Sequence, residues 1–423
     1  MSDLLFHNTS QLVTCAGPAR ARRGAEMRDL RIIERGAVVV RNEAIAAVGS
    51  ASELREAWPN AEPVDCGGRV LLPGLVDSHT HGVFGAARYA EQEMRAAGVG
   101  YMEIARRGGG IHASVRDVRA RTEDELFALA MARLQRLAAH GTTTVEVKSG
   151  YGLTIEDELK LLRVIARLHD ALPMRVVPTW LGAHEIPHEA RATATTRRAH
   201  VRMLIEEMLP LVARERLARF ADVFCEPGVF TVDETREILV AARAAGLEPK
   251  LHADELEPSR GAELAAEIGA TSADHLAAVS EAGIRALAAS STVATLLPGT
   301  MLFLGRDRQA PARALIEGGA AVALATDFNP GTSPTVNFPL MLTLAVSQLR
   351  MSVAEAVTAA TVNGAAALGL ASRVGQIAPG MSADLALFDA EDVRELPYWY
   401  GDHRCVASWA RGKTCYPRDL RLS

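Results

Sequence analysis

Eight short apolar runs, interleaved with helical patterns, constrain this chain more than any single motif does. They are "VLLPGLVDSHTH", "TTTVEVKSGYG", "MRVVPTWLGAHE", "ADVFCEPGVF", "PKLHADEL", "ATSADHLAAV", "TVATLLPGT" and "AVALATDFNPG". They are rich in Val, Leu, Thr and Ala and show little polar alternation, as parallel strands covered on both faces should. Most are separated by amphipathic stretches such as "EDELFALAMARLQRLAAHG", "EDELKLLRVIARLHD" and "VDETREILVAARAAG", several of which stop at glycine. This order predicts an α/β fold with a (β/α)8 barrel; a doubly wound open sheet is the alternative. A chain of 423 residues has room for a barrel and a smaller domain. The ends supply the second one. "GAVVVRNEAIAAVG" near the start, and "VGQIAPGMSADLALFDA" and "CVASWARGKTCY" near the end, are short β-rich runs broken by turn residues. We expect residues 1–72 and 371–423 to form one small β-sandwich domain, with the barrel over residues 73–370 inserted between them.

Barrels of this type carry their chemistry at the carboxyl ends of the strands. The residues that end each run are therefore the informative ones. The first run ends in His79 and His81, which project to the same side if the segment is extended. Two neutral imidazoles placed together suit a metal ion better than a core. The second run ends in Lys148 and Tyr151, the third in His184, and the fourth in "CEPG". The fifth ends in His252 and Glu255, the sixth in Asp274 and His275, and the eighth in Asp327. Polar groups are costly in a core, so their gathering at strand ends marks a site. The other histidines (His7, His112, His140, His169, His188, His200 and His403) scatter, and none is assigned to the metal.

His79, His81, His252 and Asp327 together could surround one divalent cation. Three imidazoles and a carboxylate suit zinc or iron(II) and leave room for a water whose pKa falls toward neutrality. Asp327 could orient that water or take its proton. His275 could bind the same water or polarise a carbonyl, and Glu255 could carry a proton to a leaving nitrogen. Each has a plainer competing role: Asp274 and His275 as a satisfied pair, Glu255 as a cap for the next helix, Asp327 as an N-cap. Lys148 is read as the ion-pair partner of Glu146 rather than as a bridge between two metals.

Charge and cysteine content narrow the surroundings. A net charge of −5 gives no reason to expect nucleic acid or an anionic membrane. No apolar run approaches the roughly 20 residues of a membrane span, and the start lacks a basic-then-apolar secretory pattern. The five scattered cysteines, Cys15, Cys66, Cys225, Cys405 and Cys415, read as reduced thiols of a cytoplasmic protein.

"LLPGLVDSHTH", the later histidines and the final "ATD", with "GQIAPGMSADLALFD" near the end, resemble the amidohydrolase superfamily of metal-dependent hydrolases. "HTHGVFGAARYAEQEMRAAGVGYMEIARRGGGIHASVRDVR", "VEVKSGYGL", "TWLGAHEIP", "DVFCEPGVF", "LHADEL", "ADHL" and "ALATDFNPGTSP" resemble, within it, the imidazolonepropionase family across essentially the whole barrel. The resemblance implies hydrolysis of the cyclic amide of 4-imidazolone-5-propanoate to N-formimidoyl-L-glutamate, the third step of histidine degradation. It implies metal ligands His79, His81, His252 and Asp327, and substrate contacts from Arg88, Tyr151, His184 and Glu255. Asn329, Gly331 and Thr332 would hold substrate or product, and the enzyme would be a homodimer. Members with two metals carry a bridging lysine at the end of strand four; "FCEPG" has none, which favours a single ion. One departure is Ala86 and Ala87, where a polar residue is expected beside Arg88. Arg88 itself suits a propionate by a two-pronged contact, and the glycines around Tyr151 let its loop approach a ligand. "GGGI" could be a flexible cover or a backbone anion nest. A ring deaminase of the same superfamily is the alternative activity, and a scaffold that has lost its metal is a third reading, disfavoured because all four ligands are present.

Overall fold

The structure, a computed structural model, describes residues 3–99 and 101–417. The first strands are β1 (Leu4–Val13), β2 (Ile32–Glu34), β3 (Gly36–Arg41), β4 (Ala44–Ser50) and β5 (Glu62–Pro73). β3 and β4 form a hairpin closed by Asn42 and Glu43, both at positive φ (49° and 70°). That is the geometry a two-residue hairpin loop requires.

The barrel strands follow: β6 (Leu75–Asp77), β7 (Thr142–Lys148), β8 (Arg175–Ala183), β9 (Phe220–Cys225), β10 (Glu248–Ala253), β11 (Ser272–His275), β12 (Val293–Leu296) and β13 (Ala321–Leu324). Each pairs in parallel with the next in chain order. The first predicted run is split between two sheets. Val70–Pro73 finish β5, and the barrel begins only at Leu75. The crossing point is Gly74, where an added Cβ would lie 2.0 Å from Thr143 Oγ1. The ring closes beyond the strands proper, through a parallel bridge between Thr80 and Phe328.

Helices cover the barrel where the sequence placed them. Thr122 and Glu125 make a capping box for Glu123–Ala139, and Thr231 and Glu234 make one for Val232–Ala244. These helices stop before Gly141 and Gly246, at φ 93° and 90°. Leu126, Ala130, Leu134 and Leu137 recur at helical spacing and bury the inner face of the first.

After the barrel the chain returns to the first sheet with β14 (Leu385–Phe388), β15 (Cys405–Ala410) and β16 (Lys413–Tyr416). The sheet order is β16–β15–β14–β5–β1–β3–β4, with β2 on β1, so both ends of the chain build it as expected. Successive residues face opposite ways. Phe6, Val38, Val40 and Trp409 pack on one face, and Leu5, Ala37, Val39 and Leu54 on the other. Cys15, Cys66, Cys225 and Cys405 are buried free thiols, and Cys415 is half-buried. Among the described residues no helix is long and apolar enough to cross a membrane.

Candidate active site

The seam that closes the barrel also assembles the donor set. His79 and His81 follow β6. Asp327 N–H donates to His79 O (3.1 Å), and His81 N–H donates to Phe328 O (2.9 Å). Asp327 sits at φ 53°, a left-handed conformation that Asp enters more readily than most residues. Its Oδ1 lies 3.6 Å from Nε2 of both His79 and His81. Its Oδ2 accepts from Thr300 Oγ1 at 2.6 Å, so one oxygen is anchored and the other faces the imidazoles. His252, on β10, brings its Nε2 to 3.4 Å from Nε2 of His81.

Two carboxylates set the ring tautomers. His79 Nδ1 is 2.6 Å from Asp274 Oδ2, and His252 Nδ1 is 3.0 Å from Asp222 Oδ2. An ionised carboxylate only accepts, so the proton belongs on Nδ1 of each ring and the Nε2 lone pair faces the centre. Burial pushes His79 and His81 well below the usual imidazole range, which keeps them neutral. Burial also pushes Asp327 up, to about 6. Buried lone pairs converging on one point, with His79 Nε2 lacking a hydrogen-bond partner among the described residues, are costly unless a cation satisfies them. The four residues therefore fit a divalent ion.

Beneath them lies a layer of buried charge that the sequence reading largely missed. Lys148 does meet Glu146 (2.7 Å), as expected, but it meets Asp222 equally closely (2.7 Å) and lies 3.8 Å from Asp274. Burial opposes its charge, yet the three carboxylates together raise its pKa. Lys250 meets Glu146 (2.9 Å) and donates to Ser78 O (2.8 Å). The missed signal is parity. Residues two apart in a strand share a face, so Lys250 follows from His252. Asp77, which accepts from Thr326 N–H and Oγ1, follows from His79 in the same way.

His275 and Glu255 do not take the plainer roles. Asp274 turns to His79 and the lysines, not to its neighbour, and among the described residues both ring nitrogens of His275 lack hydrogen-bond partners. The nearest carboxylate to His275 is Glu255, with Oε2 3.6 Å from Nε2. The helix after Glu255 is Gly261–Glu267, N-capped by Arg260, so Glu255 does not cap it. Burial, with Asp327 and Glu226 nearby, pushes Glu255 well above the usual carboxyl range.

A cavity of about 870 Å³ opens above the donor set. Arg88, Tyr151, His184, Glu255, Asn329 and Thr332 line it, with His81, His252, His275 and Asp327 at its floor. Gly331 is not on the wall but beneath it: a Cβ there would lie 1.2 Å from Arg88 Nη2. Glycine at 331 is what lets the Arg88 guanidinium lie where it does. Among the described residues Arg88 Nε and Nη1 are buried without hydrogen-bond partners, and its ion-pair contact with Glu91 is long, at 3.6 Å. Ala86 does not disturb this loop, since its N–H is held by Asp117 Oδ2 at 2.8 Å. Asn329 Oδ1 accepts from Gly331 and Thr332 N–H, so that side chain shapes its own loop. His184 Nδ1 is held by Gly150 O (2.9 Å), and its ring stacks on His81 at 5.0 Å between centroids. The Tyr151 loop is fixed by Glu158, which accepts from Gly150, Gly152 and Leu153 N–H. The "GGGI" nest takes the chain's own Glu91, whose Oε1 accepts from Gly110 N–H. His112 and His188, set aside in the sequence as outlying, stack at 3.9 Å and line the cavity.

Comparisons with known proteins show the family of the chain. A model of the amidohydrolase family matches residues 70–413, and one of an imidazolonepropionase-like composite domain from bacteria matches residues 36–61. The chain is 48% identical to the imidazolonepropionase of Geobacillus thermodenitrificans over 406 residues, 95% of each chain. It is 46% identical to that of Solibacter usitatus over 420 residues, 99% of this chain and 100% of the relative. Among solved structures, guanine deaminase of E. coli superposes with a TM-score of 0.73 at 15% identity, covering 99% of this chain and 100% of that one. A zinc-bound adenosine deaminase from Xanthomonas campestris gives 0.68 at 19% identity, covering 98% and 92%. At such identities these two likenesses concern the fold alone.

Proposed function

The chain belongs to the imidazolonepropionase family of the amidohydrolases and hydrolyses the ring amide of 4-imidazolone-5-propanoate to N-formimidoyl-L-glutamate, and we propose that His79, His81, His252 and Asp327 hold one zinc or iron(II) ion for that reaction. The observation that carries the assignment of residues is the convergence of Asp327 Oδ1 and the imidazole nitrogens at the floor of the cavity. When bound, the cation supplies Lewis acidity there, acidifying a water and polarising the amide carbonyl. The residues do the rest. Arg88 takes the propionate through its unsatisfied N–H groups, and Tyr151 and His184 hold the ring from the adjoining wall. Asp327 accepts the proton of the attacking water, and His275 steadies the carbonyl oxygen. Water oxygen bonds to the carbonyl carbon, and the carbon–nitrogen bond breaks. Glu255, whose carboxyl burial pushes well above the usual range, gives its proton to the nitrogen that leaves.

Arg88→Met tests the binding half of this account. KM is expected to rise about 10- to 100-fold, with kcat within about threefold and metal content unchanged. Wild-type KM in that variant contradicts the carboxylate role. Gly331→Ala is expected to give the same KM defect with Arg88 present, because the methyl group takes the guanidinium's place. Assaying ring opening against ammonia release separates this activity from ring deamination. The family also leads us to expect a homodimer in the cytoplasm, and sedimentation of the purified protein checks the first part.

A further inference from the structure

We infer that Glu226, which follows β9 in the "CEPG" turn, is a positioning residue that aims Glu255 into the cavity; this rests on the catalytic role given to Glu255 above. Glu226 is almost fully buried, and its carboxylate closes on three consecutive backbone N–H groups of the next strand's loop. Oε2 accepts from Glu255 N–H (3.1 Å), and Oε1 accepts from Leu256 N–H (3.2 Å) and Glu257 N–H (2.7 Å). Three backbone donors converging on one buried carboxyl group fix it and the chain that carries them in one relative position. Here they are spent on one turn of chain, the turn that carries Glu255.

The same loop is gripped from its other end. Asp254, at φ 50°, accepts from Ser259 N–H (2.6 Å), Ser259 Oγ (2.9 Å) and Ala262 N–H (2.9 Å). Asp254 defines the loop's shape from within, but its partners lie five to eight residues beyond it. Among the described residues, Glu226 is the group that ties the Glu255 backbone N–H to the turn after a neighbouring strand. Consequently the Glu255 side chain is set toward His275 and the cavity. Cys225 and Ala253, the residues before the two turns, are partners in register, so β9 and β10 deliver Glu226 and the Glu255 loop side by side.

A double-mutant cycle on the metal-loaded enzyme tests this. Glu255→Gln removes the proton donor and is expected to lower kcat by about 10²- to 10⁴-fold. Glu226→Gln keeps the shape but offers an amide N–H₂ where an acceptor is needed. A displacement of the donor by about 1 Å lowers kcat by roughly 10²-fold. KM and metal content are expected to hold, with KM within about threefold. The double variant is expected to be no more than about threefold slower than Glu255→Gln alone, since Glu226 acts through a group already gone. Multiplying effects, a KM defect, or wild-type kcat in Glu226→Gln overturns the inference. A Glu255→Gln enzyme of full activity overturns instead the role given to Glu255. If Glu226→Gln does not fold, Glu226→Asp, which draws the carboxylate back from the loop, is measured in the same cycle.

Discussion

Asp327→Asn lowers kcat by about 10³-fold or more in the expected outcome, even when the protein is saturated with metal. The substitution is nearly isosteric, so the barrel seam survives: Asp327 N–H still reaches His79 O. What changes is the group facing the histidines. The carboxylate has one oxygen fixed by Thr300 and one directed at His79 and His81. An amide cannot balance the cation's charge in the same way, and it cannot take a proton from water. Both consequences act on the chemical step, so KM for the substrate should move little. Single-turnover rates with metal content measured on the same sample check this. A loss confined to KM contradicts it.

The second large effect concerns stability. Lys148→Met is expected to destabilise the metal-free protein by about 3–5 kcal/mol, because it leaves buried carboxylates with an unpaired charge. Among the described residues Glu146, Asp222 and Asp274 share two cations, Lys148 and Lys250. Without Lys148, Asp222 keeps, among the described residues, the His252 ring as its side-chain partner in this cluster. The damage therefore spreads to the tautomer of His252, and metal affinity should fall with stability. Urea denaturation in chelator gives the first quantity, and metal competition gives the second. An unchanged denaturation midpoint refutes the idea that this layer is held together by its charge balance.

How much of this was legible in the sequence depends on whether the signal was local. The eight strands were, because a buried parallel strand is an apolar run wherever it occurs. His79 and His81 were, because a two-residue spacing is read without knowing the fold. His252 and Asp327 became readable once strand ends were compared with one another. Beyond the Lys148–Glu146 pair the charge layer was not singled out, since its other bonds join residues far apart in the chain: Lys148 to Asp222 across 74 residues, and Lys250 to Ser78 across 172. Lys250 sits inside "PKLHADEL", where a lone lysine reads as an interruption of an apolar run. Thr300, Glu158 and Glu226 were passed over for a related reason. Each acts on the backbone or side chain of another loop, and sequence carries no mark of which loop lies beside it. Gly331 was singled out as a binding residue, while its contact with Arg88 needed coordinates.

The central claim is that four donors from the first, fifth and eighth strand ends meet on a single cation. Anomalous diffraction from crystals of the metal-loaded enzyme, collected at the zinc and iron edges, tests it most directly. One peak is predicted, about 2.0–2.2 Å from Nε2 of His79, His81 and His252 and from Oδ1 of Asp327. Two peaks in the barrel mouth, or one peak that Asp327 does not touch, would contradict the account.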